Sequence, residues 1–134
     1  MNRKHLSDAF CALAEKHGCA FVEATPENIA ARIAAYPVAW LEPAVLQSKT
    51  GRYHGRITYS VKLRIMHDGL RMSPAERCAA LDAAEQQLLD IFTELSTDPR
   101  IACIDELTVA VSQFAFTPHG EIAATAEAQV ETIY

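Results

Sequence analysis

The hydrophobic pattern changes period several times along the chain, and the changes mark out its elements. In "ITYSVKLRIMHD", residues 57–68, Tyr59, Val61, Leu63 and Ile65 alternate with Ser60, Lys62 and Arg64. A two-residue period places one set on an apolar face and the other on a polar, basic face of a strand, which predicts a strand over 56–67. The stretch 101–116, "IACIDELTVAVSQFAF", predicts a second long strand. There Leu107, Val109 and Val111 alternate with Thr108, Ala110 and Ser112, and Asp105-Glu106 marks a break or bulge. A turn at "TPHG" leads to 121–134, with Ile122, Ala124, Ala126, Ala128 and Val130 on one side and Thr125, Glu127, Gln129 and Glu131 on the other. The alanines would suit a helix; the strict alternation and the threonines favour a strand, hairpinned to the one before it.

Elsewhere the period is helical. Leu6, Phe10, Leu13 and Ala14 predict a helix over 4–17, ending at Gly18 as a C-terminal cap. "TPENIAARIAAY" predicts a second, with Thr25 as N-cap and Pro26 in the first position, stopped at Tyr36-Pro37. The strongest is 74–95. Ser73 caps it, Glu76 completes a capping box, and Leu81, Ala84, Leu88, Ile91 and Leu95 recur at spacings of three and four, widened by Phe92. Residues 19–23 read as a short strand or turn. Residues 37–43, "PVAWLEP", read as a short or edge strand, with Val38 and Trp40 on one face and Ala39 and Leu41 on the other. Glycine-punctuated, polar 47–55 reads as a flexible loop or arm. The economical fold is α+β: one mostly antiparallel sheet packed against two or three helices. Its second face, carrying Lys62, Arg64, Thr125, Glu127, Gln129 and Glu131, is too polar for another buried layer and must meet water or another subunit.

At 134 residues, half of them hydrophobic, the chain suits one domain, 1–134, with a core that needs no staples. No apolar run is long enough to span a bilayer, and the N-terminus reads as a helix, not a secretory signal, so no membrane partner is expected. Cys11, Cys19, Cys78 and Cys103 are expected to be reduced, buried small hydrophobes. The net charge of −5 is unevenly spread. Residues 49–71 set Lys49, Arg52, Arg56, Lys62, Arg64 and Arg71 against Asp68 alone, a local balance of +5. Residues 72–134 hold only Arg77 and Arg100 against eleven acids, a balance of −9.

Catalytic equipment is scarce. No phosphate-binding loop, dinucleotide fingerprint, nucleophile elbow, zinc-protease helix or calcium loop is present. The five histidines fall near predicted element ends or in loops, where a solvated side chain is ordinary. Adjacent His67 and Asp68 point to opposite faces of a strand. Asp105-Glu106 reads as a bulge with solvated carboxylates rather than a Mg²⁺ site, and Trp40 as a core residue rather than a stacking platform. No catalytic, cofactor-binding or metal-binding residue is assigned, and no cofactor is expected. Lys49, Arg52, Tyr53, Arg56, Lys62, Arg64, Glu127 and Glu131 are the candidate contacts to an oligomeric neighbour or other partner. Two rival readings remain. One is a small ligand-binding or enzymatic domain with a cavity under helix 74–95, using His67, Cys103, Asp105 and Tyr59. The other is a nucleic-acid adaptor using Arg52, Arg56, Lys62 and Arg64, disfavoured by the overall acidity.

The order of elements carries a resemblance. An N-terminal helix and a short second helix lead into "YPVAWLEP", a glycine-containing loop into "RITYSVKLRIM", then come the capped helix and the pair "LTVAVSQFAF-TPHG-EIAATAEAQVETIY". This resembles the tail-terminator and tail-completion (minor tail) proteins of long-tailed phages and prophages. The resemblance implies a non-enzymatic structural subunit that forms a ring, commonly a hexamer, capping the tail tube and joining it to the head. Its partners would be further copies of itself and the tube and neck proteins. It would be found in the host cytoplasm and then in the virion. The loop at 47–55 and its flanking strand would make subunit or tube contacts.

Overall fold

A computed structural model describes residues 2–112 and 118–134. Its elements run α1 (Asn2–Lys16), β1 (Ala20–Glu23), α2 (Ile29–Arg32), β2 (Val38–Leu41), β3 (Val45–Gly51), β4 (Gly55–Asp68), α3 (Pro74–Leu95), β5 (Ile101–Ser112) and β6 (Glu121–Ile133). The strands form one sheet in the order β1-β2-β4-β6-β5, with β3 sharing the β2 side of β4. Among the described residues, only the β1–β2 pair is parallel. The fold is α+β.

The β4–β6 ladder is the spine, paired without interruption from Arg56↔Ile133 to Asp68↔Glu121. It turns Tyr59, Val61, Leu63 and Ile65, with Ala124, Ala126, Ala128 and Val130, toward α1 and α3, and all eight are buried. Three alanines on a central strand leave room for bulky helix residues. Leu88, Ile91 and Phe92 of α3 fill it, and Phe92 meets Phe10 of α1 edge to face at 5.4 Å between ring centroids. The Ser73–Glu76 capping box is formed in both directions, so two otherwise unsatisfied N–H groups at the start of α3 are bonded. Gly18, at φ +80°, ends α1 as expected.

Several expectations are corrected. The second helix does not run from Thr25 to Tyr36. Only Ile29–Arg32 is helical, Asn28 holds the N-cap position without a side-chain capping bond, and Ile33 is already extended. The connection must carry the chain from the end of β1 back to the start of parallel β2, and a longer helix would overshoot. β2 is short, as expected, and it is not an edge, because β1 flanks it. Of the stretch 47–55, expected as a flexible loop or arm, the part up to Gly51 belongs to strand β3, closed onto β4 by the turn 52–54. All seven residues of β3 are exposed, so neither face leaves an apolar period in the sequence. The second face of the sheet is not polar throughout. Val38, Trp40, Met66 and Ala123 form a small second core there under Ile29, Ile33 and Tyr36 of the crossover.

The final two strands pair as expected, with a register break between Asp105 and Thr108 and Glu106 at φ 56°. Strand β5 ends at Ser112; the expected continuation over 113–116 lies outside the described residues. All four cysteines are free, yet only Cys19 is buried. Among the described residues, no helix is long and apolar enough to cross a membrane.

Truncating Phe92 to alanine should cost about 3–5 kcal/mol, and Ser73→Ala about 1 kcal/mol, in urea unfolding. A Phe92→Ala loss no larger than that of Ser73→Ala would contradict the helix-to-sheet core described above.

Candidate functional site

The functional candidates lie on the second sheet face and on the β3–β4 hairpin that extends from it. Pairing Trp40↔Arg64 and Lys62↔Glu127 brings residues far apart in sequence side by side. The Arg64 guanidinium lies 4.4 Å from the centroid of the Trp40 ring and donates to Glu42. The Trp40 indole N–H, in turn, donates to the carbonyl of Ala24 at 2.8 Å. Lys62 sits 2.9 Å from a Glu127 carboxylate oxygen and 3.9 Å from Glu42, which it shares with Arg64. At the far end of the face Arg56 meets Glu131 at 3.0 Å.

The basic strand is therefore answered inside the chain. Arg56 and Lys62 of the +5 stretch pair with Glu131 and Glu127 of the −9 stretch, and Glu42, outside both, serves Lys62 and Arg64. A phosphate backbone would have to displace these carboxylates to use the same cations.

Glu131 has a second partner. The Cys103 thiol donates to it at 3.1 Å and to Asp105 at 3.3 Å. The bond to Glu131, helped by desolvation and by Asp105, pushes the thiol up to about 12. The same bond from Cys103, with the Arg56 charge, holds Glu131 below the usual carboxylate range. A thiol so placed is kept protonated, and the nucleophilic form of cysteine is the thiolate.

The groups of the small-enzyme reading are not gathered. Cys103 and Asp105 lie on the second face, whereas Tyr59 faces the helices and is buried. His67 lies one residue from the end of β4, but it is half-buried and burial pushes its pKa down. Its Nε2 has no hydrogen-bond partner among the described residues. The space between α3 and the sheet is occupied by the core side chains of both layers. The second face does carry a cleft of about 230 Å³, where β4 is left uncovered between β2 and β3. Glu42, Pro43, Val45, Ser60, Lys62 and Glu127 are among its walls. Its only ammonium is the one flanked by both glutamates. Among the described residues, no group of three or more His, Cys, Asp or Glu is placed to hold a metal ion.

The hairpin holds the remaining candidates. Lys49 lies over the Tyr134 ring at 5.2 Å, and the Tyr134 hydroxyl donates to the Thr50 carbonyl at 2.8 Å. Tyr134 also exchanges backbone bonds with Gly55, so the last residue braces the base of the hairpin. A Cβ on Gly55 would lie 1.9 Å from the Thr50 carbonyl oxygen, and Gly51 sits at φ +87°; both positions require glycine for the turn to close. Beyond them Arg52 and Tyr53 are exposed at the tip, Tyr53 at 89%. Val45 and Leu46 are exposed at 58% and 52%. Charge and polarity made Lys49, Arg52 and Tyr53 visible in the sequence; Glu42, Trp40 and Tyr134 emerge only once the strands are paired.

No family model matches the sequence, and no curated protein matches it significantly.

Two outcomes are expected. In iodoacetamide labelling at pH 8, exposed Cys78 should react first. Cys103 should lag more than about tenfold, since each unit of raised pKa removes tenfold of the thiolate, and Glu131→Gln should shorten the lag. Equal rates at the two thiols would refute the arrangement. The depressed pKa of His67 makes its contribution to stability complete above its unfolded value of 6.5, and lost as pH falls through the folded value. Glu94 and Glu131 act in the same sense, but only below 4.5. His67→Leu should therefore flatten the fall in unfolding free energy as pH drops below 6.5, before the carboxylates begin to titrate; an unchanged slope there would refute the assignment.

Proposed function

We propose that the protein is a non-enzymatic assembly subunit that forms a ring of identical copies, of the phage tail-terminator kind, capping a tail tube and joining it to the head. One observation carries the assembly part: among the described residues, no strand covers the outer edge of β3 or that of β5, and these edges face away from each other on one sheet. β3 is exposed along its whole length and bears Val45 and Leu46; β5 bears exposed Leu107 and Val111. Unlike surfaces at opposite ends of a subunit join head to tail, and such contacts close into rings when the rotation permits. The tail-tube part rests on the resemblance in element order. The same reading gives the braced hairpin, with Lys49, Arg52 and Tyr53, a role in contact with the neighbour or the tube.

The rival readings draw less support. An adaptor for nucleic acid would work through Arg52, Arg56, Lys62 and Arg64, and the last three already hold a carboxylate. A ligand in the small cleft would meet a lysine flanked by two glutamates.

The test is mass in solution by multi-angle light scattering. A discrete species several times the 14.7 kDa chain is expected, and in the bacterium carrying the gene its deletion should leave tails of unregulated length detached from heads. A species that stays monomeric at the highest attainable concentration would refute the ring.

A further inference from the structure

The assembly reading leaves open which surfaces meet. We infer that the outer edge of β3 in one copy pairs, strand to strand, with the outer edge of β5 in the next, extending the sheet across the subunit boundary. The inference rests on the ring proposal and makes its contact specific.

Three described edges are available: β1, β3 and β5. β1 is four residues long, and its Glu23 is engaged by Ser7 of α1 at 3.0 Å. β3 and β5, of seven and twelve residues, are the long ones. A free edge offers a row of unpaired N–H and C=O groups to another strand.

Charge chooses among the pairings of β3 and β5. β3 and its turn, residues 45–54, hold Lys49 and Arg52 and no acid, a balance of +2. β5 holds Asp105 and Glu106 and no base, a balance of −2. Two-fold pairing of β3 with β3 sets cations against cations, and β5 with β5 sets carboxylates against carboxylates; like charges across strands are destabilising. Only β3 with β5 is complementary. The register break in β5 places Asp105 and Glu106 in the middle of its edge. Charges and bulges are the devices that deter indiscriminate edge pairing, so this edge is selective for a basic strand.

Direction agrees, and so does the side of the exposed apolar residues. β3 runs antiparallel to β4, β4 to β6 and β6 to β5, so β3 and β5 run in opposite senses within one sheet. A neighbour related by rotation about an axis along the strands keeps those senses, and the new pair is antiparallel. Leu46, opposite Tyr59, and Val111, opposite Ala124, both point to the helix side, where the two exposed apolar residues can share one face.

The experiment uses two charge-reversed chains. Lys49→Glu with Arg52→Glu makes both edges acidic; Asp105→Lys with Glu106→Lys makes both basic. Neither variant should assemble alone. Mixed in equal amounts they should recover the wild-type mass, because alternating copies restore both complementary contacts. A matched far-UV circular dichroism spectrum and melting temperature establish that each variant folds, and the milder pairs Lys49→Gln with Arg52→Glu and Asp105→Asn with Glu106→Lys, which still reverse the sign of each edge, replace a double variant that does not. If the wild type assembles and either variant alone still does so equally well, or the mixture of folded variants stays monomeric, the edge pairing is wrong while the ring proposal stands. A monomeric wild type removes both.

Discussion

The structure depends on the register between β4 and β6. Side chains alternate across a strand, so a slip of one residue exchanges the faces. It would place Lys62 and Arg64 beneath α3 and turn Leu63 and Ile65 to the outside. The alternation in both strands specifies the same register, and each strand reinforces the other. On the helix side, β4 contributes Tyr59, Val61, Leu63 and Ile65, whereas β6 contributes mainly alanines. Large residues on one strand and small ones on the next make the groove in which Leu88, Ile91 and Phe92 sit.

The same register explains the charge layout. The basic and acidic stretches are two halves of one polar sheet face, brought opposite each other by Lys62↔Glu127 and by the neighbouring Arg56–Glu131 contact. Exposed pairs of this kind add about 0–1 kcal/mol each, so their weight in stability is small. Their effect is on selectivity, since the slipped register would lose all of them together. The Glu42–Arg64–Trp40 group is less exposed, and it ties the end of β2 to the centre of the sheet.

What the sequence made legible follows from what leaves a periodic trace. α3, β4 and β6 each bury one face and expose the other, so their boundaries and sides were readable residue by residue. The β5 bulge was readable because two adjacent acids interrupt an apolar alternation. β3 was not, because a strand exposed on both faces has no apolar period. The helix α2 was read too long for a different reason. Thr25-Pro26 is a sound helix start in isolation, but the parallel return from β1 to β2 sets how much helix the connection can hold. Among the candidate contacts, Lys49, Arg52 and Tyr53 could be picked out by type and by their loop-like surroundings. Alternation also put Lys62, Arg64, Glu127 and Glu131 on one polar face, but which carboxylate meets which cation, and the part Glu42 plays, could not be read, because those contacts arise only through strand pairing.

The turn between β3 and β4 has a practical corollary. Gly51 and Gly55 close the hairpin below its tip, and Tyr134 secures that closure from the other end of the chain. Residues 52–54 therefore hang outside the hydrogen-bonded frame, where loop insertions are best tolerated. A dye or short epitope grafted between them would leave the scaffold's cooperativity intact and would turn the arm into a proximity sensor for whatever comes to rest against it.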